Sequence, residues 1–225
     1  MKLESEEKTV ILLHGWGLNS NSMKDVEDYL KNKIRVINFD LPGFGNHEMN
    51  CAWKLDDYIE YVHKICVDKD INQPIFIAHS FGGRIALKYA SIYPVEKMIL
   101  TGCAGICPKR TLSYYFKIGL YKCKKRMHLN TEGMGSEDYL NSSGYIRETL
   151  VNILKEDLSP ILSEIKTDTL LIWGEKDEAT PLYMGEIMEE KLQHAKLVIF
   201  AGEDHFAYLH QIERFLILTT SFLMV

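Results

Sequence analysis

The sequence lacks an apolar run long enough to cross a bilayer. Its longest apolar stretch, "FLILTTSFLMV" at 215–225, has 11 residues and is interrupted by Thr219, Thr220 and Ser221, whereas a spanning helix needs about 20 apolar residues. The beginning of the chain, "MKLESEEKTV", has no apolar segment of the kind found in secretory signals. We therefore predict no membrane span and a cytoplasmic protein, and we interpret the C-terminal stretch as a buried final helix.

The sequence also has few cysteines and no excess of basic residues, with 26 Lys and Arg against 31 Asp and Glu. The cysteines are Cys51, Cys66, Cys103, Cys107 and Cys123. Their odd number and their scatter favour free thiols in a reducing compartment. Cys103 and Cys107 lack the second pair or nearby histidine that a zinc site needs, so we expect no metal. The net charge of −5 gives no indication of a nucleic-acid partner.

Short apolar runs alternate with amphipathic segments along the chain. The runs predict strands at 9–14, 34–40, 74–79, 97–102, 169–174 and 196–202. They do not alternate polar with apolar residues, which is typical of parallel strands covered on both faces. The amphipathic segments predict helices at 21–32, 55–69, 82–93, 182–193 and 206–223. This rhythm indicates an α/β fold with a doubly wound, mainly parallel sheet of six strands.

The connection between the fourth and fifth runs is far longer than a normal loop. Residues 104–160 carry helical patterns at 113–126 and 143–158. We interpret 104–160 as a helical lid inserted into a core that consists of residues 1–103 and 161–225. No repeats or low-complexity segments accompany it.

A serine stands between the third predicted strand and the next helix, in "AHSFGG". A nucleophile must project from its own backbone, and a sharp strand-to-helix turn achieves this by straining the serine. The usual pattern is G-x-S-x-G, because the residues two before and two after must be small; here they are Ala78 and Gly82. We predict that Ser80 is a nucleophile, and the alternative is a serine that caps a packing helix.

Two backbone amides are candidates for holding a developing oxyanion. Phe81 follows the serine at the N-terminus of the predicted helix, where a free N–H and a partial positive charge favour an anion. The glycines of "HGWG" let the loop after the first strand bend toward that turn, so the N–H of Trp16 is the second candidate. We interpret His14 as a hydrogen-bonding support for this loop.

A serine hydroxyl needs a general base, and the base needs an acid to orient it. His205 follows the last predicted strand, at the carboxyl edge where open α/β sheets form their sites. Asp177 follows the fifth strand and is the preferred acid; Asp204 is its rival, but adjacent residues rarely face each other. His79 precedes the serine and is expected to point the other way along its strand.

The motifs "HGWG", "DLPGFG", "AHSFGG", "LLIWGEKD" and "GEDH" resemble the α/β-hydrolase superfamily over nearly the whole chain except the lid. The resemblance implies a catalytic triad of Ser80, Asp177 and His205. It also implies an oxyanion hole made by the N–H groups of Trp16 and Phe81, with no metal or organic cofactor.

The start of the chain departs from the family pattern. Members commonly begin with an antiparallel hairpin before the "HG" strand, but only eight residues precede Thr9. We therefore expect a six-stranded sheet that lacks this hairpin, with the 34–40 strand at an edge that is exposed or covered by a partner. The oligomeric state stays open, and a dimer is possible.

The resemblance leaves several activities open, since one fold hosts many. We favour a serine hydrolase acting on a small-molecule carboxylic ester with a small to medium acyl or alcohol group. The alternatives are hydrolysis of a C–C bond, a lyase similar to the menaquinone-pathway synthase, which carries a similar G-G-R at Arg84, and a non-catalytic ligand-binding module.

The predicted lid supplies candidate substrate contacts. Tyr114, Tyr115 and Tyr121 are expected to line its apolar face above the pocket, or else to form its own core. Residues 109–126 are rich in Lys and Arg, whereas 132–157 are mostly acidic. Either the two helices pair through opposite charges, or a basic residue holds an anionic substrate group. Arg84 is a further candidate contact for substrate.

Overall fold

The computed structural model describes residues 8–107 and 137–224. The strands of these ranges are β1 (Thr9–Leu13), β2 (Arg35–Asn38), β3 (Ile75–His79), β4 (Lys97–Thr101), β5 (Asp168–Gly174) and β6 (Ala195–Phe200). The α-helices are α1 (Lys24–Leu30), α2 (Leu55–Asp68), α3 (Phe81–Ala90), α4 (Glu137–Asn141), α5 (Gly144–Leu154), α6 (Tyr183–Lys191), α7 (Ala207–His210) and α8 (Ile212–Leu223). Short 3-10 turns occur at Ser20–Met23 and Leu162–Glu164.

The strands form one parallel sheet in the order β2-β1-β3-β4-β5-β6. This confirms the predicted six-stranded parallel sheet, with β2 at one edge. After β1 the chain adds β2 on one side and then β3 on the other, so the strand order reverses between β1 and β3. Ligands of open α/β sheets bind beyond the carboxyl ends of the strands at such a reversal.

Both faces of the sheet are covered, which explains why the strands read as continuous apolar runs. Successive residues point to opposite faces: Ile11 and Leu13 pack with α2, α3 and α6, whereas Val10 and Leu12 pack with α1 and α8. All four side chains are fully buried. The doubly wound arrangement predicted from the sequence is therefore confirmed.

The final helix differs from the prediction of one helix over 206–223. It divides into α7 and α8 at Gln211, whose φ of −118° and ψ of 51° are not helical. The side-chain amide of Gln211 donates a hydrogen bond to Glu203 Oε1 at 2.8 Å, which holds Gln211 toward the loop after β6. Hydrophobic periodicity cannot reveal such a break, because the apolar residues continue on one face across it.

Residues 108–136 of the predicted lid lie outside the described residues, which include α4, α5 and the two ends of the segment. Those ends meet: the Leu158 N–H donates to Gly105 O at 2.9 Å, and the Cys107 N–H donates to Asp157 Oδ1 at 3.2 Å. The segment therefore leaves and rejoins the sheet at one place. That geometry suits an insertion, and the lid itself stays a prediction.

In the part of the chain that the structure describes, every helix falls short of the length and apolarity that spanning a membrane requires.

Thr219 in α8 provides a test of the packing on the face of the sheet that α1 and α8 cover. It is fully buried, and its Oγ1 has no hydrogen-bond partner among the described residues. Because valine has the same shape without the hydroxyl, we expect Thr219→Val to raise the free energy of unfolding by about 1 kcal/mol in urea denaturation. Thr220→Val is the control: its Oγ1 donates to Leu216 O at 2.9 Å, and the side chain is only half-buried. A loss of stability in Thr219→Val would contradict this reading of the core.

Candidate active site

Ser80 occupies a strained turn between β3 and α3. Its φ is 50° and its ψ is −109°, a region that residues with a Cβ rarely adopt. The turn is fixed by three backbone hydrogen bonds: Ser80 N–H donates to Thr101 O at 3.0 Å, and Ser80 O accepts from Arg84 at 3.2 Å and from Ala104 at 3.0 Å. A Cβ on Gly82 would collide with the carbonyl of Leu13, which explains the need for glycine there.

Trp16 and Phe81 follow the neighbouring ends of β1 and β3. Their rings contact each other edge to face, with centroids 5.2 Å apart, and Phe44 packs against both. Among the described residues, neither backbone N–H donates a hydrogen bond. The N–H of Phe81 also opens α3, where the unpaired amides and the helix dipole favour a negative charge. Within the described ranges both amides thus lack an acceptor, and they stay candidates for binding an anion at this edge.

His14 connects the loop after β1 to the loop after β2. Its Nε2 accepts a hydrogen bond from the Leu41 N–H at 2.9 Å, so its Nδ1 carries the proton and donates to Gly15 O at 2.8 Å. Burial lowers the pKa of this imidazole, which keeps it neutral. Both ring nitrogens are thus occupied, and His14 is placed to support the loop rather than to transfer protons.

Asp177 has every lone-pair position of its carboxylate filled. Its Oδ1 accepts from the N–H groups of Ala179 and Thr180 at 2.9 and 2.8 Å. Its Oδ2 accepts from His205 Nδ1 at 2.8 Å and lies 2.8 Å from Thr180 Oγ1. The carboxylate is completely buried. The rival Asp204 instead accepts from the Phe206 N–H, and its side chain is 56% exposed.

The imidazole of His205 lies above Gly102, directly after β4. A Cβ on Gly102 would come within 3.0 Å of His205 Nδ1 and 3.2 Å of Asp177 Oδ2. Because His79 pairs with Thr101 in the sheet, Gly102 lies beside Ser80. The serine turn, the imidazole and the carboxylate therefore converge at the carboxyl ends of β3, β4 and β5.

The hydrogen bond between the proposed nucleophile and its base is not formed in this structure. No hydrogen bond joins Ser80 Oγ to His205 Nε2 within residues 8–107 and 137–224. Catalytic hydrogen bonds are often long in ligand-free enzymes and tighten when substrate binds. The side chain of His205 is 16% exposed, so part of its ring is accessible to solvent.

Arg84 is placed differently from the expected substrate contact. The residue is buried, and its Nη1 donates to the carbonyl oxygens of Ile153 at 2.8 Å and Glu156 at 2.7 Å. It therefore fastens the nucleophile helix α3 to the end of α5, and burial lowers the pKa of its guanidinium. The other predicted substrate contacts, Tyr114, Tyr115 and Tyr121, lie outside the described residues.

Two residues at the site were not assigned from the sequence. His79 does point to the opposite face of the sheet, yet its ring lies 4.6 Å from that of His205. Burial, followed by the proximity of His205, keeps the pKa of His79 well below its usual range, so it is neutral.

Thr180 is the second of these residues, and its hydroxyl lies within hydrogen-bond distance of the Asp177 carboxylate. The only signal for Thr180 was its position three residues after Asp177 in "DEATP", a spacing that lets an aspartate cap the following turn.

A cavity lies between the loop after β2 and the start of α5. Its volume is about 280 Å³, and its lining includes Gly43, Met49, Tyr145 and Ile146. Phe44, which contacts Trp16 and Phe81, belongs to the same loop. The cavity is therefore adjacent to the loop that packs on the two candidate oxyanion residues.

The comparisons with known proteins agree with this architecture. A family model described as "Alpha/beta hydrolase family" matches residues 10–216. The chain is 25% identical to a pimeloyl-[acyl-carrier protein] methyl ester esterase of Hamiltonella defensa, with 92% of this chain and 89% of that protein covered. It is 26% identical to a 2-hydroxy-6-oxononadienedioate/2-hydroxy-6-oxononatrienedioate hydrolase of Escherichia coli, with 96% and 87% covered.

Among solved structures, an esterase from Exiguobacterium antarcticum superposes with a TM-score of 0.77 at 21% identity. The superposition covers 97% of this chain and 92% of the esterase, which shows a shared fold. With the family match extending over most of the sequence, the resemblance of the motifs is confirmed. The chain belongs to the alpha/beta hydrolase family.

Proposed function

We propose that the protein is a serine hydrolase that cleaves a small-molecule carboxylic ester through an acyl-enzyme. One observation carries the proposal: the buried Asp177 carboxylate is hydrogen-bonded to His205 beside the strained turn of Ser80. A strained serine, an oriented imidazole and a buried carboxylate at one sheet edge are the parts that nucleophilic acyl transfer needs.

The proposed mechanism assigns one task to each group. His205 removes the proton from Ser80 as its oxygen attacks the ester carbonyl, and Asp177 stabilises the imidazolium that forms. The N–H groups of Trp16 and Phe81 bind the oxyanion; one such donor is typically worth about 100-fold to 1,000-fold in kcat. His205 then protonates the departing alcohol and activates the water that hydrolyses the acyl-enzyme.

A C–C bond hydrolase is the second candidate, since the E. coli relative is named for such a substrate. The same serine and imidazole would serve that reaction. The lyase alternative depended on Arg84, whose Nη1 hydrogen bonds go to carbonyl oxygens of α5 and the residues just after it. The contacts of Arg84 in the described structure therefore do not specifically support the lyase.

A substrate panel separates the two candidates. We expect kcat/KM for p-nitrophenyl esters to be greatest for short or medium acyl chains, and to exceed the rate with a 2-hydroxy-6-oxo-dienoate by at least about 100-fold. The Ser80→Ala variant, assayed in parallel, corrects for contaminating esterases. Faster cleavage of the dienoate would favour the C–C hydrolase instead.

The panel also tests the basic segment of the predicted lid. Esters that carry a carboxylate are compared with neutral esters of the same length. A preference for the anionic esters, weakened by salt, is expected if a residue of 109–126 holds the substrate. Equal rates would instead favour pairing of the two oppositely charged lid segments.

A further inference from the structure

We propose that Thr180 is a positioning residue whose hydroxyl fixes the Asp177 carboxylate for His205 and moderates its charge. The kinetic consequences of this inference rest on the proposed function, whereas its structural basis does not. Thr180 is buried, and its Oγ1 lies 2.8 Å from Asp177 Oδ2, 3.1 Å from Gly102 O and 3.3 Å from His205 Nδ1.

The hydroxyl has one proton and two acceptors within reach. Asp177 Oδ2 is both the nearer and the charged acceptor, and hydrogen bonds to charged groups are the stronger ones. The proton of Thr180 is therefore directed to the carboxylate. The Gly102 carbonyl oxygen, at 3.1 Å, is the alternative acceptor for this proton when the carboxylate binds more strongly to a protonated His205.

The backbone of Thr180 is itself held by two hydrogen bonds. Its N–H donates to Asp177 Oδ1 at 2.8 Å, and its carbonyl accepts from the indole N–H of Trp173 at 2.6 Å. Trp173 belongs to β5 and is fully buried in the core. Because the backbone of Thr180 is anchored in this way, the hydroxyl has a fixed place beside the carboxylate.

The hydroxyl completes a set of four donors around the carboxylate. Ala179 N–H and Thr180 N–H fill Oδ1, while His205 Nδ1–H and the Thr180 hydroxyl fill Oδ2. A carboxylate has about four lone-pair positions, so none is left to draw the group away. Without the hydroxyl, Oδ2 would keep His205 as its single donor, and the position of this oxygen would be less tightly fixed than that of Oδ1, which keeps two N–H donors.

Among residues 8–107 and 137–224, few charged groups lie near His205, so the effect of the hydroxyl on its charge balance can be interpreted. Asp177 faces the imidazole from the loop after β5, and neutral His79 faces it from β3. On its own loop, Glu203 and Asp204 are directed to His210 at 3.1 and 3.4 Å. Of the groups that the structure describes, the carboxylate of Asp177 is thus the charge in contact with His205, and a donor on that carboxylate weakens its attraction for the imidazolium.

Thr180→Val removes the hydroxyl and keeps the shape, and Thr180→Ser keeps the hydroxyl. We expect Thr180→Val to lower kcat about 10-fold with KM nearly unchanged, on the scale of one hydrogen bond to a charged group. We also expect the acid limb of its kcat/KM profile to move to higher pH, because the less neutralised carboxylate favours the imidazolium. Thr180→Ser should restore both quantities.

Active sites are counted by fluorophosphonate titration, so that a loss of folded protein is not read as a loss of rate. Thr219→Val is the matched control, because it makes the same substitution at a buried position of α8. If Thr180→Val loses only stability, with wild-type kcat per active site and an unmoved acid limb, the inference is wrong. It is also wrong if Thr180→Ser behaves like Thr180→Val.

A second measurement needs no catalysis and separates this inference from the proposed function. The Nδ1 proton of His205, bonded to Asp177, is followed by NMR as a downfield resonance that His205→Gln lacks. We expect Thr180→Val to shift this resonance and Thr180→Ser to return it. If the wild type hydrolyses no ester while this pattern holds, the proposed function fails and the positioning role stands; an unmoved resonance overturns the positioning role.

Discussion

Replacing Ser80 with alanine is expected to lower kcat for ester hydrolysis by about 100,000-fold, the scale seen when a serine nucleophile is removed. The reason is chemical: without the hydroxyl no acyl-enzyme can form, and only the proposed oxyanion donors remain. The fold should persist, because the described hydrogen bonds of Ser80 are made by its backbone. Steady-state kinetics, with circular dichroism of the same preparation, measure the change.

Two further variants make this expectation specific. Ser80→Gly removes the same hydroxyl and also relieves the positive φ of 50°. We expect it to be about 1 kcal/mol more stable than Ser80→Ala and equally inactive. Ser91→Ala, at the other end of α3, removes a hydroxyl that donates to Lys88 O and should keep wild-type activity. Substantial activity in Ser80→Ala that scales with enzyme concentration would contradict the assignment of the nucleophile.

Replacing His205 with glutamine is expected to lower kcat by about 10,000-fold or more, because no other described base is oriented by a buried carboxylate beside Ser80. The loss should be non-additive: Ser80→Ala combined with His205→Gln should be no slower than Ser80→Ala alone. Residues that act as one unit behave in this way. The double-mutant cycle is measured with the best ester of the panel.

Controls for His205 come from its own neighbourhood. His194→Gln changes an exposed histidine just before β6 and should leave kcat unchanged. Asp204→Asn alters the carboxylate next to His205 in the chain, but that carboxylate accepts from the Phe206 N–H and should matter little. If Asp204→Asn lowered kcat more than Asp177→Asn, the orientation of His205 would be assigned to the wrong acid.

The positions of the site residues could be predicted because each follows a strand with its own local signal. Ala78 and Gly82 mark the serine turn, and the ends of β5 and β6 mark the loops of Asp177 and His205. In a parallel sheet these ends share one edge, so local patterns suffice to bring the loops together.

The contacts within the site could not be predicted in the same way. Thr180 is close to Asp177 in the chain, but its carbonyl is also anchored by Trp173, and Arg84 meets α5 only after the long insertion has returned to the sheet. Both contacts depend on tertiary packing. The break of the last helix at Gln211 is similar, since a contact with Glu203 overrides the helical periodicity.

The central claim is that Ser80 is an activated nucleophile, and labelling with a fluorophosphonate followed by peptide mass spectrometry tests it most directly. The account predicts one label per folded chain, located on Ser80, with labelling strongly slowed in His205→Gln and unchanged in His194→Gln. Folded protein that takes up no label, or takes it up on another residue at the same rate in both histidine variants, would contradict it.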